Sequence, residues 1–212
     1  MKNELLPTKF QGINQDVYAG FWVRLAAKLL DFIILLPVLG LVLYINSLSK
    51  SAAVNVLIPN LLFALAYEVV LVKIFGGTPG KLIMGLKIIQ INGEAINWKA
   101  SFYRYSVEFI IAIISVFVMY LTLNMIDDIT YINAGFLERS KLLATINPVP
   151  MQIQSWASNS WSIIGAIVLI SNARKRATHD FIAGSVVVKS IYLTKIKEII
   201  NSTESVENSI EE

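Results

Sequence analysis

Long apolar stretches alternate with short polar ones along the chain, and four of the apolar stretches are long enough to be membrane spans. The first covers residues 21–45, the second 52–75, the third 101–125 and the fourth, shorter, 153–170. A helical crossing of the hydrocarbon core takes about 20 residues. Pro37 and Gly40 are kink points in the first span, and Trp156 and Trp161 near the start of the fourth fit an interfacial aromatic belt. A strand pattern replaces the helical one between the second and third spans. There, residues 86–91 and 95–101 flank Asn92–Gly93, a hairpin signal. A β-branched run at residues 185–192 is expected to pair with that hairpin, because two strands alone are marginal. Thr78 followed by Pro79 reads as the N-cap and first residue of a short helix.

The polar segments carry the orientation. Lys73, Lys81, Lys87 and Lys99 lie between the second and third spans, and Arg174, Lys175 and Arg176 follow the fourth. The opposite loops are poor in net positive charge: one holds Lys50, and in the other Arg139 and Lys141 are set against Asp127, Asp128 and Glu138. By the positive-inside rule both termini and the middle loop face the cytoplasm. The first twenty residues are polar and lack the apolar core of a signal peptide, so the first span reads as an uncleaved anchor. The tail from Asn201 is acidic and polar and is expected to be disordered.

Composition agrees with a membrane location. Of 212 residues, 55% are hydrophobic and only 16% charged, against about 25% charged in soluble domains; the mean hydropathy is +0.62. A net charge of +3 is too small to suggest nucleic acid, and the absence of cysteine excludes disulfides and thiolate chemistry.

The charges within the spans are the candidate chemistry. Arg24, Lys28 and Asp31 fall on one face of the first helix at spacings of four and three residues. Glu68 lies about two turns from the end of the second span, and Arg104 and Glu108 form an i, i+4 pair in the third. All six sit in the cytoplasmic half. Each intramembrane charge costs about 2.5–3.5 kcal/mol at a helix centre, so three cations and three anions at one depth suggest a single network. Two readings stand. The network fixes helix rotation and register, with the cations snorkelling, or it forms an ion or proton path with Asp31, Glu68 and Glu108 as the carboxylates.

The remaining motifs have plainer explanations. The run GGTPGKL lacks the glycine of a phosphate loop at Phe75 and its hydroxyl at Leu82, and Pro79 removes a backbone donor. His179–Asp180 is either a proton relay at the membrane edge or, preferably, the start of a short helix that Gly184 ends. Asp127–Asp128 reads as a solvated loop rather than a metal site. No nucleophile–base constellation is visible, and neither cofactor nor metal is expected.

Three ordered motifs, GFWVRLAAKLLDF, GGTPGKLIMGLKII and RATHDFIAGSVVV, resemble the RDD family of small bacterial membrane proteins over residues 18–189. The family's arginine and two aspartates correspond to Arg24, Asp31 and Asp180. Lys28 and the segment 127–150 are outside its pattern. The resemblance implies a multi-span membrane domain. It leaves the activity open between sodium–proton antiport, to which some members are linked, and companionship with other membrane proteins.

The expected fold class is an all-α membrane protein: a four-helix transmembrane bundle with a small cytoplasmic β-hairpin or sheet. A cytoplasmic segment, residues 1–17, precedes the membrane domain at 18–192, which carries an outer-loop insertion at 127–150 and is followed by the tail at 193–212. The expected function is movement of protons or small cations across a bacterial inner membrane. Asp31 and Glu68 would be the binding carboxylates, Arg24 and Arg104 their partners, and His179 and Asp180 a cytoplasmic gate or anchor. The alternative is a non-transporting assembly or accessory subunit. Expected partners are anionic lipid headgroups at the cytoplasmic face and a second copy or another membrane subunit, but not nucleic acid.

Overall fold

The computed structural model describes residues 6–10, 16–198 and 200. Four helical runs are long and apolar enough to cross a membrane: Phe21–Leu48, Lys50–Ile83, Trp98–Asn124 and Pro148–Ser171. Their large apolar side chains mostly face outward; Ile33, Ile110, Phe117 and Ile167 each expose more than half of their surface. In a lipid solvent this outward apolar face is the stable arrangement, and the backbone polar groups are satisfied within each helix.

The first run is the single helix α1 (Phe21–Leu48), with Pro37 inside it. The second is segmented into α2 (Lys50–Asn55), α3 (Leu57–Leu65), a π-helical turn (Ala66–Val70) and α4 (Leu71–Phe75). Gly76, at φ +76°, ends α4. The chain then turns into α5 (Pro79–Ile83), whose N-cap is Thr78, as its Thr–Pro start predicts. α6 (Trp98–Asn124) is the third span. α9 (Pro148–Ser171) is the fourth and begins five residues earlier than residue 153. Pro148 presets the first helical turn there, and the polar residues Gln152 and Gln154 hide that turn from an apolar count.

The segment before α9 is not a loop. It forms α7 (Asp128–Asn133) and α8 (Phe136–Ile146). Asp127 is the N-cap of α7, accepting the Thr130 N–H at 2.8 Å; the Thr130 side chain first, and then this N–H, hold its carboxyl below the ordinary carboxylate value. Asp128 pairs with Lys50 at 2.8 Å. Arg139 donates to the carbonyls of Tyr131, Asn46 and Ala134, tying this helical cap to the end of α1.

At the other end of the bundle lies the sheet, and it differs from the expected hairpin. β1 (Leu86–Gln90) pairs antiparallel with β2 (Ser185–Lys189), with Ile88 opposite Val187. The turn at Asn92–Gly93 forms, with Gly93 at φ +87°, but the returning chain contributes only one bridge, Ile89 to Ala95. Asn97 explains why: its side chain caps α6 by accepting the Ala100 N–H at 2.7 Å, so the chain becomes helical at once. The third position is instead taken by the chain entering α1. Tyr18 bridges to Val188, Ala19 N–H donates to the Val187 carbonyl at 2.9 Å, and Lys189 N–H donates to that of Val17 at 3.0 Å.

Both faces of this small sheet are covered, which is why so few strands suffice. Val186, Val188 and Ile89 pack with Leu6, Phe10, Val17, Tyr18 and Ile196. Leu86, Ile88 and Val187 pack on the ends of the spans, against Ala27, Val72, Ile96 and Ala100. The packing therefore runs across the boundaries at 17/18 and 192/193. Residues 193–198 are helical; the acidic stretch at 201–212 lies outside the described residues.

Candidate functional site

The charged residues of the spans converge near the sheet end, but not as one network. Their centre is Asp180, fully buried on the short helix α10 (Thr178–Ile182). At the third position of that helix its carboxylate accepts the Ala177 N–H at 2.9 Å, half of a capping box. The same Oδ2 receives Arg24 Nη1 of α1 at 2.6 Å. Oδ1 receives Arg104 Nη1 of α6, which also donates to Ser185 Oγ at 2.9 Å. Arg24 is held further by the carbonyls of Ala19, at 2.9 Å, and Lys175. Lys175 adopts a left-handed backbone, φ +50°, to present that carbonyl. Arg176 ties the strand to the helix by donating to the carbonyls of Ser185 and Asp180, each at 2.9 Å. One carboxylate thus joins the first span, the third span and the segment after the fourth.

Asp31 has a different environment. It is buried on α1 and, among the described residues, accepts only from neutral donors: Tyr67 OH at 2.6 Å, Thr78 Oγ1 at 2.5 Å and Gly80 N–H at 2.7 Å. The Thr78 hydroxyl therefore does not cap its own helix. Asp31, from another helix, takes the free N–H in the first turn of α5, where a carboxylate is favoured by the helix dipole. Gly80 is required for this approach. A Cβ there would lie 2.3 Å from the Ala27 carbonyl oxygen and 2.7 Å from the Asp31 nitrogen.

The single six-charge network is corrected accordingly. Arg24 and Arg104 bind Asp180 rather than Asp31 or Glu68. Lys28, three residues from Asp31, is exposed and makes no ion pair with it, because shared helical spacing does not decide which face turns inward. Arg104 is drawn to Asp180, so its i, i+4 neighbour Glu108 is left facing His179, Oε1 to Nδ1, at 3.8 Å. That distance is too long for a hydrogen bond. Burial holds the His179 imidazole well below its ordinary value, and Arg104, Arg24, Lys81 and Lys28 reinforce the shift. The histidine is therefore neutral at pH 7 and forms no salt bridge with Glu108.

Glu68 stands apart. It lies on the π-helical turn, a departure from α-geometry that often marks functional sites. With Asn60, Tyr67 and Tyr105 it lines a half-open cavity of about 340 Å³ between α1, the second span and α6, whose wall residues Leu39 and Phe63 are also exposed on the outer face. Among the described residues it has neither a salt bridge nor a hydrogen bond. Lys81 and Arg104 are within its electrostatic reach, but Lys81 donates to Thr78 Oγ1 at 3.1 Å and Arg104 is committed to Asp180. Among the described residues no group of three or more His, Asp or Glu side chains is placed to hold a metal.

Sequence reasoning missed Tyr67, Thr78, Gly80 and Ser185 as partners of the aspartates. The GGTPG run was the available signal, since a glycine after proline at a helix start marks a close backbone approach.

Comparison with known proteins agrees with this arrangement of motifs. The RDD family model matches residues 18–184, a stretch that includes Arg24, Asp31 and Asp180. The uncharacterized membrane protein YteJ of Bacillus subtilis (strain 168) is 27% identical over 112 residues, covering 49% of this chain and 68% of that protein. No solved structure matches.

Proposed function

Starting from a chain that belongs to the RDD family, we propose that it moves protons or small cations across the bacterial cytoplasmic membrane, with Glu68 as the working carboxylate. The observation that carries this reading is the contrast in partners: Asp180 accepts from four donors and Asp31 from three, whereas Glu68 faces a mid-span cavity without a direct partner among the described residues. An intramembrane carboxylate left in that condition is costly unless it serves a wet or occupied path. Tyr105 lies within electrostatic reach of both Glu68 and Glu108, and Glu108 faces His179 at the sheet end. These groups form a stepwise route from cavity to membrane edge. Arg24, Asp180 and Arg104 are its fixed frame, and no enzymatic chemistry is assigned to the chain. By the positive-inside rule the basic segments Lys73–Lys99 and Arg174–Arg176 support a cytoplasmic sheet end and cytoplasmic termini, beside anionic headgroups. Four helices enclose little space, so the path is completed by a second copy.

The rival reading, a non-transporting accessory subunit, is favoured by one observation: both aspartates named by the family motif serve structure. Vesicles containing the purified protein separate the two. Addition of Na⁺ or K⁺ is expected to dissipate an imposed pH gradient faster than in empty vesicles, and Glu68→Gln to return the rate to the empty-vesicle level. If neither ion acts on the wild-type protein, the transport reading is lost. Co-purification of another membrane subunit in mild detergent then becomes the expectation.

A further inference from the structure

The walls of the Glu68 cavity offer more than a proton or an inorganic ion would use. Leu35 and Val38 of α1 supply an aliphatic side, and Phe63, Tyr67 and Tyr105 supply aromatic rings. Hard metal cations take six or more oxygen ligands in close array. Here Glu68 brings the only carboxylate, and the Tyr67 hydroxyl is already donated to Asp31. The volume, about 340 Å³, falls in the range of organic-ligand sites. A neutral acyl chain would fill the apolar part but leave the carboxylate desolvated and unpaired. A ligand with an apolar body and one delocalised or alkylated positive charge satisfies both halves. Its charge meets Glu68, and the aromatic faces add cation–π attraction.

We propose that this cavity binds an organic monocation with an apolar body, such as a protonated hydrophobic amine or a quaternary onium ion. The assignment rests on the reading of Glu68 as the working carboxylate and names a substrate class for it. Bound cation and bound proton would compete for the same oxygen atoms.

Equilibrium binding of tetraphenylphosphonium to the purified full-length protein in detergent tests the proposal without any gradient. Saturable binding at one site per chain is expected. Glu68→Gln should weaken it by about tenfold or more, the loss of one desolvated charge pair. Val38→Trp should abolish it by filling the cavity while leaving the carboxylate in place. Triphenylphosphine oxide, which is neutral and similar in shape, should bind far more weakly. Absence of saturable binding overturns the proposal. So does equal binding by the neutral compound, or by a Glu68→Gln protein that keeps its size-exclusion profile, since either result means apolar partition alone. A protein that binds the onium ion but shows no Na⁺- or K⁺-driven proton movement keeps this inference and loses the inorganic-cation reading. Ion-driven proton movement without onium binding does the reverse.

Discussion

The sheet end and the mid-span cavity each hold a carboxylate in an apolar chain, and the protein treats the two in opposite ways. Asp180 receives two guanidinium groups, a backbone N–H and a neighbouring serine. Glu68 receives no direct donor among the described residues and opens on a cavity. Asp31 lies between them in kind, held by three donors, all of them neutral. A carboxylate with all its lone pairs taken up has no capacity left for a passing ion, so donor count separates a fastening from a working group. By that measure all three residues matched to the family motif, Arg24, Asp31 and Asp180, fasten helices to one another. The proposed working group, Glu68, lies outside the motif.

The largest effect that would break this contrast is expected at Asp180. Asp180→Asn keeps the size of the side chain but leaves Arg24 and Arg104 buried without an anion. Removing one partner of a buried ionic group costs about 3–5 kcal/mol, so the variant should show a strongly lowered thermal midpoint in detergent and poor yield. Glu68→Gln, which removes an unpaired charge, should leave the midpoint unchanged or raised. If the two variants exchange these outcomes, Asp180 is not the fastening and Glu68 is not free to act.

A smaller effect tests the intermediate case. Gly80→Ala would drive a Cβ against the backbone of Ala27 and Asp31. α5 would have to move off α1, at a cost of about 1–3 kcal/mol for overpacking. The loss should be seen as a lower thermal midpoint that Asp31→Asn in the same protein does not deepen additively, because the two residues share one contact. Additive losses would mean that Asp31 and the α5 turn are independent, and Asp31 would then belong with Glu68 rather than with Asp180.

Much of this architecture was legible in the sequence because it is local. Apolar runs specify spans, Thr78–Pro79 specifies a helix start, and the β-branched run after Gly184 specifies a strand. The partner of that strand was half legible. Residues 86–90 have the pattern, but the return arm from Ala95 is overridden by the cap at Asn97, and the third position went to the chain before Phe21. The helices at residues 128–146 were hidden by their mixed polarity. The ionic fastening was not legible, because Arg24 and Asp180 lie 156 residues apart and Arg104 and Asp180 lie 76 apart. Helical spacing places Arg24, Lys28 and Asp31 on one face without stating which neighbour each meets. Nor could it reveal the cavity, whose walls come from three separate segments.

The smallest predicted effect concerns His179, which lies beside the fastening and carries no charge of its own at neutral pH. The cations facing it are Arg104, Arg24, Lys81 and Lys28, and the anions are Glu108 and Asp180. Burial and the cations keep the imidazole neutral in the folded protein to a pH well below its ordinary value near 6.5. The unfolded chain binds a proton at about that ordinary value. Between the two values the unfolded state holds more protons, so stability falls as pH falls through that window and is fully present above it. The thermal midpoint should be flat above about pH 7.5 and decline as acidification passes the ordinary imidazole value near 6.5. His179→Gln should remove that part of the decline and leave the steeper loss shared with the carboxylates, which ordinarily titrate near pH 4. If the midpoint instead rises on acidification and His179→Gln abolishes the rise, the imidazolium is stabilised by Glu108 and Asp180. Glu108 would then join the fastening at the sheet end. The route from the cavity would stop at Tyr105, and the difference between a saturated end and an open middle would extend one helical turn further along α6.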